Sequence, residues 1–598
     1  MVNRLAKKTG SLLVAQQYLD DGNEAFLDEL CRVEDAAGLG SFARKFFDDR
    51  RSHARSFLLQ YIEIGMSQYR HEALYKRLFK FAEAAGDDEA MARFLVALDR
   101  SLRRVVHNRR RWDWNSRQIE EESIIVTRDQ TMPRKENHVY AKLRNRKSAP
   151  RADWRLFSGP TRQYLRRRVW RYFRNLSKSD PQRYRTAIAV ALVRYEDSDV
   201  ADGLALLDNW GLVHALFHGS DQIVANATGW ELADGGSLEK LVPSPMAFDA
   251  WKASAETPLD LVSDARSRTV RMWAIQILQT YHADAMANLA LPRLLAWLRS
   301  SDDEIAALAA NALNNDAPSR RTEASAFSPD QWTTILDEAN PSVLAIVCSA
   351  AIKHADFSRW STEQLFELAY RRSNPVARLA HDQLVGREVA SSEQAQQWLQ
   401  LGDSRCPSMR AELANLGLSK VSQSPYFDPL MVISLVDNTD VAVRRAGLNF
   451  LAADQRTRNH VGLWQRVLEN PHDDVQLEIS SLLHQQSLGW DKPQVVSDGQ
   501  LDSTAIRRLW ATVLLNTQRG GRVKSRVIDH VAGRLNRHPD QFAELLPMLA
   551  TAMRSIRATE FRAAIAAVSR LAHSHPELES EILKQIPELG FHTTSSIP

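Results

Sequence analysis

The sequence predicts an all-α protein, most of it a linear array of stacked helical pairs, and three observations predict it. An apolar residue placed to open the second helix of each pair recurs at Val270, Ile305, Val343, Val376, Met409, Val443, Val475 and Ile506, in steps of 35, 38, 33, 33, 34, 32 and 31 residues. Most of these positions follow a turn signal, such as Ser301-Asp302-Asp303, Asn340-Pro341-Ser342 or Asn438-Thr439-Asp440. Asp, Asn and Ser cap the orphan amides of a helix start, and proline fits its first turn. Ahead of the turns lie apolar residues at helical spacing, among them Leu294, Leu295 and Leu298, or Leu463, Val467 and Leu468. One pair buries a single face, so stacking on its neighbours completes the core.

The chain of 598 residues is too long for one core and should divide into folding units. Its 44% hydrophobic and 25% charged residues are ordinary for a well-packed globular protein and exclude global disorder. Cys31, Cys348 and Cys406 lie far apart and form no CxxC pair, which argues against a disulfide framework or a zinc knuckle. Neither a signal h-region nor an apolar run of spanning length is present, so the expected location is the cytoplasm, with no membrane contact. The net charge of +4 conceals an asymmetry. Residues 101–187 hold 24 Lys/Arg and 8 Asp/Glu, a local +16, which leaves 53 basic and 65 acidic residues, −12, elsewhere.

The dipeptides Val270-Arg271, Met409-Arg410, Val443-Arg444 and Ile506-Arg507 set an arginine after the helix-opening apolar residue, most clearly in Asp437 to Ala446 (Asp-Asn-Thr-Asp-Val-Ala-Val-Arg-Arg-Ala). In this the chain resembles the HEAT/armadillo class of repeats over roughly residues 255–515. The resemblance implies an α-solenoid, and it implies that Asp440 and Arg444 take part in an inter-repeat Asp–Arg ladder. Alanine, leucine, alanine and glutamine follow Ile305, Val343, Val376 and Val475, so the implied ladder is broken. The resemblance specifies architecture and leaves function open.

The expected organisation is an N-terminal helical region (1–110), a basic, partly irregular insertion (111–160), an arginine-rich helix with connecting helical pairs (161–254), HEAT-like repeats (255–518) and a C-terminal helical cap and tail (519–598). In the first region Leu74, Leu78, Phe81, Ala82 and Ala85 form one stripe. Gly86-Asp87-Asp88 ends that helix and caps the next, whose stripe is Met91, Phe94, Leu95, Leu98 and Leu102. Helical signal fails between Trp112 and Pro150, where Ile124-Ile125-Val126-Thr127 is a short β-like run in an inserted loop. Pro160 opens a helix to Leu176. At about 100° per residue, Leu165, Val169, Tyr172, Phe173 and Leu176 share one side, Arg167, Arg171 and Arg174 lie opposite, and Tyr164 and Trp170 flank them. Helices over Tyr184–Tyr195 and Gly203–Phe217 follow.

The candidate contact residues for an acidic ligand are therefore Arg109, Arg110, Arg111, Trp112, Trp114, Arg144, Arg146, Lys147, Tyr164, Arg167, Trp170, Arg171 and Arg174. Guanidinium groups neutralise phosphates or carboxylates, and the aromatics can stack on bases. The competing interpretation pairs these arginines with the acidic remainder of the chain and places the aromatics in the core. Other constellations have plainer explanations. His214 and His218 lack the glutamate of a metalloprotease helix and fit a core. Glu120, Glu121 and Glu122 form a solvated run, Gly235-Gly236-Ser237 lacks a P-loop continuation, and Cys348 sits in an apolar helix. No catalytic, metal or cofactor site and no small-molecule substrate is identified. The expected function is a non-enzymatic scaffold or adaptor for a protein partner. The alternatives are a nucleic-acid-binding protein gripping phosphates through residues 103–174, and a repair enzyme of the type of the HEAT-like DNA glycosylases, whose residues do not map onto this chain.

Overall fold

A computed structural model describes residues 9–68, 70–114, 117–129, 159–226, 229–488, 501–516 and 521–590. The chain forms two compact units, Met1–Arg320 and Arg321–Pro598. Among the described residues, no single helix is long and apolar enough to cross a membrane.

The second unit is built from helix pairs. Thr362–Ala369 packs on Asn374–Leu384, Ser392–Gln400 on Arg410–Gln423, Ile433–Val436 on Val441–Ala453, and Val461–Leu468 on Asp473–Leu488. Ser503–Leu515 then packs on Gly521–Arg537, and Phe542–Met553 on Ala558–Ser574. First helices stack on first helices: Ser392–Gln400 on Ile433–Val436, that helix on Val461–Leu468, and Val461–Leu468 on Ser503–Leu515. Second helices follow the same register, Arg410–Gln423 against Val441–Ala453, then Asp473–Leu488, then Gly521–Arg537. This is HEAT/armadillo-type stacking, in which each layer's apolar seam is completed by the next.

All eight repeat positions, Val270 to Ile506, are buried. Seven open or immediately precede a second helix. Ile506 departs from that rule: Ser503–Leu515 packs as a first helix, with Gly521–Arg537 as its mate. The apolar spacing marks helix starts but does not distinguish the two helices of a pair.

The ladder implied by the resemblance is present at three of the four arginines, and the fourth, Arg507, pairs with Glu544 instead. Arg410 donates to Asp440 at 3.1 Å, thirty residues on, and Arg444 donates to Asp474 at 3.0 and 2.9 Å. In the first unit Arg271 donates to Asp302. Asp440 also caps its own helix through the Ala442 amide at 2.8 Å, so one carboxylate fixes both a helix start and its distance from the preceding layer. Where the arginines are missing, other pairs take over at nearly the same spacing. Arg371 reaches Asp337, Arg378 reaches Glu412 and Asn374 reaches Ser408, each 34 residues apart.

Between Asp473–Leu488 and Gly521–Arg537 the rings of His484 and His530 stack at 4.0 Å and 10°. Burial, followed by His484 and Arg526, depresses His530 to about 4, and burial with Arg537 lowers His484. Both folded values lie below the unfolded value near 6.5, so the folded state binds fewer protons. The contribution is complete above about pH 6.5 and disappears as pH falls from there through about 4. Thermal unfolding of the whole chain is expected to show a lower Tm at pH 4.5 than at pH 7. His530→Phe, which keeps the stack and removes the charge, should narrow that difference.

The first unit holds the predicted αα-hairpin, Glu72–Ala85 and Asp88–Arg100, with Gly86 in the left-handed conformation that ends the first helix and Asp87 capping the second. The expected helix Gly203–Phe217 is broken at Asn209 into Gly203–Asp208 and Trp210–Phe217. The described part of the basic insertion is a β-hairpin and not irregular chain. The helix ends at Arg100, and Leu102, expected on its stripe, opens a twelve-residue strand β1 (Leu102–Asp113) that pairs antiparallel with β2 (Gln118–Asp129). The β-branched residues Val105 and Val106 face Val126 and Ile125 across the ladder, the pairing such side chains favour. Residues 130–158, with Arg144, Arg146 and Lys147, lie outside the described residues.

Candidate acidic-partner surface

The arginine-rich helix spans Gly159–Ser179 and packs on Asp88–Arg100 and Pro181–Leu192. Leu165, Val169, Phe173 and Leu176 are buried, whereas Arg167, Arg171 and Arg174 are exposed, as the helical spacing predicts. They stand at i, i+4 and i+7, one turn apart along one face. The Arg174 guanidinium lies 5.0 Å from the centre of the Trp170 ring, and Trp170 packs at 4.3 Å against His214. Tyr164 is 51% exposed, and its hydroxyl accepts from Arg168 at 2.6 Å. Arg171 and Arg174 form no ion pair among the described residues.

Several other arginines of the basic segment pair with carboxylates of the same chain. Arg168 pairs with Glu83, Arg183 with Asp88, Arg103 with Asp199, and Arg104 with Asp208 at 2.6 Å. On the hairpin the register sets positions 109, 110 and 111 opposite 122, 121 and 120, three arginines against three glutamates, and Arg110 bonds Glu121 at 2.8 Å. Trp112 and Trp114 are exposed and meet edge-to-face at 6.4 Å.

Two arginines missed by the sequence reading, Arg162 and Arg166, are buried on the apolar face. Arg166 lies 3.5 Å from Asp99, donates to the Asp208 carbonyl and covers the Trp210 ring at 4.7 Å. Asp99 is fully buried and accepts from the Tyr195 hydroxyl at 2.8 Å and from the Gly211 and Leu212 amides at 2.8 and 3.3 Å, which caps Trp210–Phe217. Burial raises the Asp99 pKa, against the pull of Arg166 and of these donors. The root of the hairpin is fastened beside this network, where Arg103 donates to the Asp99 carbonyl and to Asn209 at 2.9 Å and Arg104 pairs with Asp208. A cleft of about 770 Å³ beside it is lined by Arg100, Arg103, Arg104, Glu63, Glu196 and Asp199. Its three arginines are already paired with carboxylates.

His214 and His218 meet Nδ1 to Nδ1 at 3.1 Å. Burial first, then His218 and Arg174, lowers His214 to about 2, so its ring is neutral at ordinary pH. Among the described residues no third His, Cys, Asp or Glu joins them into a metal-sized group.

No family model and no curated protein matches the sequence. Several solved structures are similar. One, described as "A conserved phosphorylation switch controls the interaction between cadherin and beta-catenin in vitro and in vivo", is 14% identical, with 69% of this chain and 97% of that chain covered and a TM-score of 0.20. Importin beta in an ammonium sulfate condition is 10% identical over 97% of this chain and 67% of its own, at TM-score 0.17. The Kap95:Nup1 complex is 13% identical over 96% and 70%, also at 0.17. At such values no residue role and no partner carries over. The helix-pair stacking within the chain itself defines a helical-repeat protein of HEAT/armadillo type.

Proposed function

We propose that this chain is a non-enzymatic helical-repeat scaffold that holds an acidic protein partner on the outer face of Gly159–Ser179. One observation carries this reading. Whereas Arg103, Arg104, Arg166, Arg168 and Arg183 of the same segment face carboxylates of their own chain, Arg171 and Arg174 are exposed and form no ion pair among the described residues, on the same face as Arg167. A row of guanidinium groups at helical spacing suits a partner that presents carboxylates, through charge-assisted and bidentate hydrogen bonds. The aromatic neighbours favour protein over single-stranded nucleic acid. Trp170 lies between Arg174 and His214, which leaves Tyr164 as the open ring beside the row, whereas single strands are gripped by successive stacking platforms.

The test is titration of the full chain with an acidic peptide and with a homopolymeric oligonucleotide at several salt concentrations. Acidic peptide is expected to bind, with an affinity that falls as salt rises. The combined substitution Arg167→Ala, Arg171→Ala and Arg174→Ala should weaken it by about tenfold or more, equivalent to roughly 1.4 kcal/mol, with helicity unchanged. Tighter binding of the oligonucleotide, with a log–log salt slope near −2 for about three phosphates, would favour the nucleic-acid reading instead. Loss of helicity in the variant would make these arginines structural.

A further inference from the structure

Beyond the root rows Leu102–Asp129 and Arg104–Thr127, the same face of the hairpin carries four rows of directly opposed residues. Val106 stands across from Ile125, Asn108 from Ser123, Arg110 from Glu121, and Trp112 from Ile119. Ser123 donates to Asn108 at 2.8 Å, and Arg110 to Glu121 at 2.8 Å. The four apolar side chains of the outer rows are 58%, 59%, 46% and 62% exposed in the order Val106, Ile125, Trp112, Ile119. A two-stranded ribbon is marginal in water by itself, and β1 and β2 form a two-stranded sheet, so this face gains by being covered.

The order of the rows indicates what covers it. Along the strand they read apolar, polar, polar, apolar, with successive rows about 6.8 Å apart, two residues of an antiparallel strand. That order is a palindrome. A two-fold axis lying in the face and crossing the strands midway between the Asn108 and Arg110 rows sets each apolar row on an apolar row of an identical ribbon. It also sets the Asn108–Ser123 row on the Arg110–Glu121 row, where amide and hydroxyl meet an ion pair and no like charges oppose. Such self-complementarity is what an isologous interface requires. The strands of the two ribbons then run antiparallel, which leaves the hairpin roots at opposite ends.

We infer that this hairpin face is a dimerisation surface whose partner is a second copy of the same chain, packed face to face about that axis, with Ile125 against Ile119 of the other copy and Val106 against Trp112. Four rows bury far less than the roughly 800 Å² per partner of a standard interface, so the dimer is weak and concentration-dependent. It is independent of the acidic-partner surface.

Sedimentation velocity of the full chain over about 1 to 100 µM, the range expected of so small an interface, should show monomer passing into dimer. Ile119→Ser should move the midpoint up by about tenfold or more, with an unchanged circular dichroism spectrum. The arrangement is tested by mixing two single variants, Ile119→Cys and Ile125→Cys, under mild oxidation. The mixture should give a disulfide between the two introduced residues, and neither variant alone should do so. A chain that stays monomeric throughout, or dimers unaffected by Ile119→Ser, overturns the proposal. Cross-linking of either variant with itself overturns the antiparallel arrangement.

Discussion

Asp99→Ala is expected to destabilise the unit Met1–Arg320 by about 3–5 kcal/mol, the range for breaking a buried ion pair by removing one partner. The carboxylate is fully buried and serves three purposes at once. It neutralises Arg166, receives the Tyr195 hydroxyl, and accepts the Gly211 and Leu212 amides at a helix start. Alanine leaves a buried guanidinium without its carboxylate and three donors without an acceptor, each of which carries its own desolvation penalty. Adding Arg166→Met to Asp99→Ala should recover part of the loss, because the stranded charge is removed with its partner. Denaturant unfolding of the full chain, followed by tryptophan fluorescence, reads both variants. A loss below about 1 kcal/mol for Asp99→Ala would mean that the network is not holding this region together.

Arg444→Ala is expected to cost about 2–4 kcal/mol in the second unit, from a buried charged donor with several acceptors. Besides Asp474 in the next layer, Arg444 donates to the Asn438 and Thr439 carbonyls at 2.9 and 3.0 Å in the turn of its own pair. Its side chain is 7% exposed, whereas Arg410, one repeat earlier, is 30% exposed. Solvent screens the more open guanidinium, so Arg410→Ala should cost about 1 kcal/mol or less. The order of the two losses matters more than either value, because it follows burial and not the mere presence of a ladder pair.

The repeat was legible because one kind of position had to be apolar in every layer, and Val270 through Ile506 recur at nearly the period of the stack. The outward row Arg167, Arg171 and Arg174 was legible for the same reason: a helix facing a core on one side dictates what faces away. The same spacing places Arg162 and Arg166 on the buried side with Leu165, Val169 and Phe173. Nothing local marks them as buried, because a charged residue is expected to point to water unless its partner is known. The environment of Arg166 is set by Asp99 and Asp208, 67 and 42 residues away along the chain, a pairing that no local pattern encodes.

The hairpin was hidden for a different reason. Its apolar residues on the outward face, Val106 and Trp112, are six positions apart in β1 and separated by Asn108 and Arg110, so strict alternation of apolar and polar residues does not appear. Three consecutive glutamates read as a solvated run, and three consecutive arginines as contacts for an acidic ligand. Only the register makes them opposite positions of one ladder.

Hydrogen exchange across the second unit of Arg444→Ala tests the stacked-pair architecture most directly. In an array whose layers touch only their neighbours, loss of one ladder arginine should speed exchange in Val441–Ala453 and Asp473–Leu488. The effect should fade by Thr362–Ala369 on one side and by Ala558–Ser574 on the other. A uniform acceleration throughout residues 321–598 would instead reveal one cooperative globular core and contradict the repeat architecture.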